Sequence, residues 1–326
     1  MSARLCFFLL PLLAVATFAQ DVPRLQGGAA EAPEPPANLQ IKHLETEDMI
    51  YTADLSYKVG DALSEYEKER CKLDLYLPTK VKDFPVVVWF HGGGLTGGGK
   101  YGGDTTKVAQ TWVKEGIAVA SVNYRLSPKV KFPAYVEDAA AAVAWVQKNI
   151  AAHGGDAKRV FIGGHSAGAY LSLMLGMDPK YLTAAGVEPG SIAGLIPVSG
   201  QTMTHFTVRE ERGLDKDAVI ADEAAPIHFT RADAPPMLLL MGDKDWPARL
   251  EENQYFAAMQ MVKKHAHTWL VLVKDRTHGT IFGKLKETGD PGREEILKFV
   301  KDPKGYVLGV SGGDVEKAGV KGENAK

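Results

Sequence analysis

Ser166 stands at the centre of Gly164-His165-Ser166-Ala167-Gly168, between the strand-like run Arg159-Val160-Phe161-Ile162 and an apolar helical stretch opening at Ala167. A serine so placed sits on a sharp, strained strand-to-helix turn, where a side chain at either glycine would collide with neighbouring elements. Context decides the reading, because with 34 glycines in the chain an isolated match is an ordinary glycine turn. A serine hydroxyl is a poor nucleophile near neutral pH and needs a base within hydrogen-bond reach, with an acid to orient that base. Histidine is the suitable base. Of the nine histidines, His278 is best placed, a few residues beyond the last strand-like run and downstream of Ser166. His165 is expected to point away from its neighbour Ser166, and His91 to support a glycine loop. His43, His153, His205, His228, His265 and His267 read as surface, turn or packing residues. His265 and His267 could face a metal from one strand, yet no third ligand accompanies them, and no metal is expected.

Three aspartates compete to be the orienting acid. Asp243 and Asp245 both follow the buried run Pro236 to Met241, and functional groups gather on loops at the carboxyl ends of parallel strands. Asp245 has more chain beyond the strand and so more reach toward the histidine loop, whereas an aspartate beside Gly242 can also merely cap the turn. Asp275 precedes His278 closely and belongs to the histidine's own loop.

A second glycine signal lies upstream. His91-Gly92-Gly93-Gly94 follows the buried run Val86 to Phe90, and Gly92 to Gly97 formally satisfies the dinucleotide pattern G-x-G-x-x-G. The glycines continue through Gly103 instead of opening a helix at once, so a pyrophosphate would lack the helix N-terminus it requires. Gly94 to Lys100 imitates a phosphate loop, but Tyr101 stands where Ser or Thr should hold magnesium. No organic cofactor is expected.

These residues need a scaffold. Strands are predicted at Lys72 to Leu77, Pro85 to Phe90, Ile117 to Val122, Val160 to Gly163, Ile192 to Val198, Pro236 to Met241 and Thr268 to Val273. Their continuous apolar runs imply burial on both faces, as in a mainly parallel sheet. Helices fit between them, at Thr105 to Glu115, Ala134 to Asn149, Ala167 to Gly176, Leu250 to Lys264 and Arg293 to Val300. The alternation predicts a three-layer α/β architecture, with a small, partly charged cap segment from Gly200 to Ala234.

The 326 residues suffice for one catalytic domain, and a net charge of -2 argues against a general nucleic-acid binder. Arg4, the apolar run Leu5 to Ala16 and Thr17-Phe18-Ala19 have the shape of a secretory leader over residues 1–19. No other stretch approaches the roughly 20 apolar residues of a membrane span, so no span is expected once the leader is cleaved. Residues 20–40, rich in Pro, Ala and Gly, read as a flexible linker; residues 41–301 form the domain, and 302–326 are expected to be a flexible tail. Loss of Cys6 with the leader would leave Cys71 single, without a disulfide. The sequence sets no oligomeric state.

The ordered set His91-Gly92-Gly93-Gly94, Asn123-Tyr124-Arg125-Leu126-Ser127-Pro128, Gly164 to Gly168, Ala225-Pro226-Ile227-His228, Gly242-Asp243-Lys244-Asp245 and His278 resembles α/β-hydrolase carboxylesterases. The likeness is greatest to the hormone-sensitive-lipase-like and feruloyl-esterase-like secreted branches. It implies the α/β-hydrolase fold and the chain order serine, acid, histidine. In such esterases the acid takes the fourth position of a Gly-x-x-Asp turn, which begins here at Gly242 and favours Asp245. The resemblance further implies catalysis by Ser166, Asp245 and His278, an oxyanion hole from the backbone N–H groups of Gly93, Gly94 and Ala167, and no cofactor or metal. Short-chain carboxylic esters are the expected substrates, with acyl or feruloyl groups on carbohydrate among them. An amidase or peptidase of the same fold is the alternative enzyme, and an inactive binding protein the alternative of another class.

Overall fold

The computed structural model describes residues 42–102, 104–308 and 315–317. The expected leader and linker lie outside them. Ten strands form one sheet: β1 (His43–Glu45), β2 (Met49–Ser56), β3 (Lys72–Pro78), β4 (Phe84–Phe90), β5 (Ala118–Val122), β6 (Gly155–His165), β7 (Gly194–Val198), β8 (Met237–Lys244), β9 (Thr268–Thr277) and β10 (Val315–Lys317). Their spatial order is β1-β2-β3-β5-β4-β6-β7-β8-β9-β10. From β5 to β9 every pairing is parallel, while β1 to β3 and β10 pair antiparallel.

Along β4 the side chains divide strictly between the two faces of the sheet. Val86, Val88 and Phe90 enter a core layer shared with Tyr135, Val143, Leu171 and Phe256. Val87 and Trp89 enter the other, with Trp112, Ile296 and Phe299. Burial on both faces is why the run carries no polar alternation, and each such side chain contributes about 1.5–3 kcal/mol on leaving water. The helices supplying these layers are α2 (Thr105–Lys114), α3 (Ala134–Asn149) and α4 (Ala167–Met177). Further along come α7 (Arg249–Val262) and α9 (Pro291–Lys301); shorter ones are α1 (Glu65–Arg70), α5 (Pro179–Ala184), α6 (Phe206–Glu211) and α8 (Thr280–Gly283). Helix α9 starts where Asp290 accepts the N–H of Arg293 and Pro291 presets the first turn.

The seven expected strands and five expected helices are all present. Strands β6, β8 and β9 are longer than their apolar runs, because Gly155 to Arg159, Gly242 to Lys244 and Lys274 to Thr277 continue the pairing with polar residues. Strands β1 and β2 went unpredicted: β1 is exposed throughout, and β2 carries a register shift between Thr52 and Leu55 around left-handed Asp54.

The expected tail needs correction over its described part. Tyr306 is buried against Trp269 and Phe299, its hydroxyl donates to Glu295 Oε2, and β10 pairs with β9. The remainder of residues 302–326 lies outside the described residues.

Candidate active site

Ser166 links β6 to α4 with φ 56° and ψ −116°, a conformation that costs a non-glycine residue about 1–3 kcal/mol and persists only where its surroundings enforce it. Its N–H donates to Val198 O at 2.9 Å. The flanking glycines are steric requirements, as expected. A Cβ on Gly164 would lie 2.7 Å from Phe90 O, and one on Gly168 would overlap that same oxygen. The start of α4 therefore packs directly on the end of β4.

His278, just beyond β9, completes a hydrogen-bonded chain. Ser166 Oγ donates to His278 Nε2 at 3.0 Å, and His278 Nδ1 donates to Asp245 Oδ1 at 2.8 Å. Burial opposes ionisation of Asp245, but the hydrogen bond and charge of His278, the Ser199 hydroxyl and the Trp246 N–H together hold its carboxyl below the usual carboxylate range. The other two acids are occupied elsewhere. Asp243 Oδ1 accepts the N–H of Arg276 at 3.1 Å, a bond from β8 across to β9 rather than a cap on its own turn, and Asp275 pairs with Lys244 at the surface.

Two contacts at this site were not readable from the sequence. Ser199, left-handed at the end of β7, donates to Asp245 Oδ2. The Trp246 ring lies flat on His278, with centroids 3.6 Å apart and planes 15° from parallel. A serine at a strand end and an aromatic in a loop carry no pattern of their own.

His165 turns away from Ser166, as expected. Its Nε2 donates to the His278 carbonyl at 2.7 Å, and burial together with the neighbouring His278 pushes its pKa down to about 3. It is a neutral strut for the histidine loop. His91 is likewise buried, and its Nδ1 donates to Gly92 O at 2.7 Å. Its ring stacks on Tyr124, whose hydroxyl donates to His91 O.

The glycine loop passes beside the serine: a Cβ on Gly92 would stand 3.3 Å from Ser166 Cβ. Gly93 and Gly94 have φ +115° and +62°, and Gly93 O accepts the N–H groups of Thr96 and Gly97. Asn123 to Pro128 hold this loop from behind, since Asn123 Oδ1 accepts the N–H of Lys100, and Ser127 N donates to Leu95 O. Neither nucleotide pattern survives. Helix α2 begins only at Thr105, and the Lys100 ammonium is buried against Asp74 at 2.6 Å and Asp54 at 3.0 Å.

The segment from Gly200 to Ala234 closes one side of the site. Helix α6 sets Phe206 against Gly94, and the Thr207 hydroxyl donates to Gly94 O. His205 packs between Tyr170 and Phe206, held uncharged by burial and by the nearby cations Arg249 and Arg209. Glu252 joins this segment to α7: burial raises its pKa to about 7 against the pull of Arg249 and of the Met203 and Thr202 N–H groups.

His265 and His267 do not face a common point. Both ring nitrogens of His265 are engaged, with Thr268 Oγ1 and Ala234 O. Among the described residues there is no group of three or more His, Cys, Asp or Glu side chains arranged for a metal, and no helix long and apolar enough to cross a membrane.

The solved structure of a truncated carbohydrate esterase from gut microbiota superposes with a TM-score of 0.62, covering 80% of this chain and 98% of that one at 19% identity. Its class shares the large, mainly parallel sheet with flanking helices. The chain has the α/β-hydrolase fold. Within this fold, the BD-FAE family profile matches residues 73–187, from β3 past the serine turn to just beyond α5. Among curated relatives, this chain is 29% identical over 192 residues to the esterase LipQ of Mycobacterium tuberculosis, covering 53% of this chain and 45% of that protein. It is 41% identical over 102 residues to the carboxylesterase NlhH of the same species, covering 31% and 32% respectively. The chain thus spans less than half the length of these two relatives. The chain resembles carboxylesterases of the hormone-sensitive-lipase-like type.

Proposed function

We propose that this α/β-hydrolase is a serine carboxylesterase acting on short-chain esters, including acyl groups carried on carbohydrate. The unbroken hydrogen-bond chain from Ser166 through His278 to Asp245 carries the reading. In the first step His278 Nε2 takes the Ser166 proton as Oγ attacks the ester carbonyl, and the resulting oxyanion accepts hydrogen bonds from the N–H groups of Gly93, Gly94 and Ala167. As the carbonyl reforms, the alcohol leaves with the proton held by His278. Water then attacks the acyl-enzyme by the same route, releasing the acid and restoring Ser166. Asp245 keeps the imidazole in the tautomer that presents Nε2 to the serine and stabilises the imidazolium between steps.

Three features support the pieces. Ala167 opens α4, whose N-terminal N–H groups favour negative charge. The φ values of Gly93 and Gly94 turn the loop beside the serine. Phe206 and the buried polar cluster of His205, Arg249 and Glu252 favour a compact polar pocket over one for long acyl chains. The name of the gut carbohydrate esterase supports a carbohydrate-linked ester. Export through the leader over residues 1–19 completes the proposal.

The test is an ester panel from acetyl to long-chain p-nitrophenyl esters, run beside an organophosphonate probe and acetylated oligosaccharides. Hydrolysis greatest on acetyl to butyryl esters, with the probe on Ser166, is the expected result. An optimum at long chains would sink the short-chain reading, and comparable cleavage of amides would favour the amidase. No turnover on any ester, with Ser166 unlabelled, would favour a binding protein.

A further inference from the structure

Trp246 touches both partners of Ser166's relay, and by different parts of itself. Its backbone N–H donates to Asp245 Oδ1 at 2.7 Å, the same oxygen that receives His278 Nδ1. Its indole covers one face of the His278 ring at 3.6 Å, nearly parallel. On the imidazole's other contacts stand His165, tilted at 4.8 Å, and the Ser166 hydroxyl.

A large aromatic at a surface loop ordinarily needs no explanation. This one is 38% exposed, so it is not in place to fill the core. Two observations set it apart. The stack joins it to a single ring, that of the relay histidine, with the centroids 3.6 Å apart. The loop itself is also fixed: the Arg249 N–H donates to Trp246 O, and the Arg249 guanidinium stands 5.8 Å from the indole centre. Rotation of His278 about its side-chain bonds, which would break both relay hydrogen bonds at once, has to push the indole aside.

We propose that Trp246 is a positioning residue for His278: it holds the imidazole plane in line between Ser166 and Asp245 and, through its electron-rich face, favours the imidazolium that forms during acyl transfer. This rests on the esterase reading of the site. A ring face desolvated against a cation is worth roughly a threefold to thirtyfold change in an equilibrium or rate. The charged and titratable groups around His278 are Asp245 from the end of β8, His165 from β6, and Arg249 with its partner Glu252 from α7. Asp245, His165 and Glu252 keep their own partners when the indole is replaced, while Arg249 loses the ring it faces, and Trp246→Phe, which keeps a ring face there, is the control for that loss.

The experiment compares wild type with Trp246→Leu and Trp246→Phe, using p-nitrophenyl acetate and folded protein checked by circular dichroism. In Trp246→Leu, kcat is expected to fall about threefold to thirtyfold with KM changed less than about twofold, the acid limb of the kcat/KM profile moving to lower pH. Trp246→Phe should recover most of the loss. A change confined to KM, or a Leu variant with wild-type kcat and pH profile, would overturn the proposal. A readout without turnover separates this from the esterase reading itself: the far-downfield proton resonance of His278 Nδ1 should be sharp in wild type and weakened in Trp246→Leu. Were wild type inactive on every ester, that resonance would still decide whether the indole orders the ring, and an unchanged signal in the Leu variant would refute it.

Discussion

Ser199 donates its hydroxyl proton to Asp245 Oδ2, the carboxylate oxygen that His278 does not use. The carboxylate is thereby gripped at both ends, by a neutral donor on β7 and by the imidazole from the loop after β9. A hydrogen bond to a buried carboxylate is stronger than one between neutral groups. Ser199→Ala should lower kcat about tenfold with KM little changed, as Asp245 becomes free to turn. Steady-state kinetics on an acetyl ester check this, and a KM effect alone would assign Ser199 to the substrate side.

Asp245 and Asp243 should separate cleanly. Asp245→Asn is expected to cut kcat by about a thousandfold or more, since the amide favours the wrong imidazole tautomer and removes the charge beside the imidazolium. Asp243→Asn keeps an oxygen for the Arg276 N–H and loses only an exposed charge, so it should stay within about threefold of wild type. A crippled 243 variant beside an active 245 variant would move the acid.

At Gly168 the constraint is steric and should appear in stability before activity. A Cβ there would overlap Phe90 O, and backbone cannot yield as a flexible side chain does. Gly168→Ala should cost more than about 3 kcal/mol or prevent folding. Gly213, with φ +73° and open space around it, is the control. Its alanine variant should lose only about 1 kcal/mol, from the left-handed backbone. Urea unfolding of both decides the matter, equal losses being the failing result.

Acid should unfold the protein sooner than its carboxylates alone would. Burial, aided by neighbouring cations or histidine, lowers His91 and His165 to about 3 and holds His205 well below its usual value. Below about pH 6.5 the unfolded chain protonates at these three sites while the native protein does not, so stability falls as pH falls. Glu252 runs the other way. Its pKa is raised to about 7, so the stability it contributes is present below the unfolded value and lost as pH rises through the folded one. Three histidines outweigh one glutamate, leaving a loss of roughly 2–3 kcal/mol per pH unit on acidification below about 6. Urea midpoints at about pH 7 and about pH 5 should show the drop, and Glu252→Gln should steepen it. A midpoint that does not move with pH would show that these rings are protonated in the native state.

What the sequence displayed best was burial on two faces. The runs Val86 to Phe90 and Met237 to Met241 contain no polar break, and they seat two of the motifs, so the glycine loop and the acid were legible along with their strands. Strand β2 was not, because its alternating exposure is interrupted by the left-handed Asp54. Asn123 to Pro128 announced themselves as a motif but not what they do, because bracing a loop from behind depends on backbone carbonyls and N–H groups that any residue carries. Ser199 and Trp246 were invisible for a related reason. Their value comes from the partner each meets, and that partner is supplied by a strand or loop distant in the chain.

The cap, residues 200–234, is one uninterrupted insertion between β7 and β8, while Ser166, Asp245 and His278 stand on β6, β8 and β9 and their loops. It meets the glycine loop at Gly94 through Phe206 and Thr207, and it closes on itself where Arg212 pairs with Asp222 and Glu223. Loops positioned by a rigid scaffold tolerate change that the scaffold does not. Variation in what the pocket admits can therefore accumulate in a single exchangeable stretch of about a tenth of the chain, leaving the reactive atoms where they are. For anyone re-engineering this molecule, the 200–234 segment is a cartridge: its ends are fixed by two core strands, and its exposed contents can be rewritten so long as Val208, Ala224 and Ala225 stay in the core and Gly94, Tyr170 and Glu252 keep their neighbours.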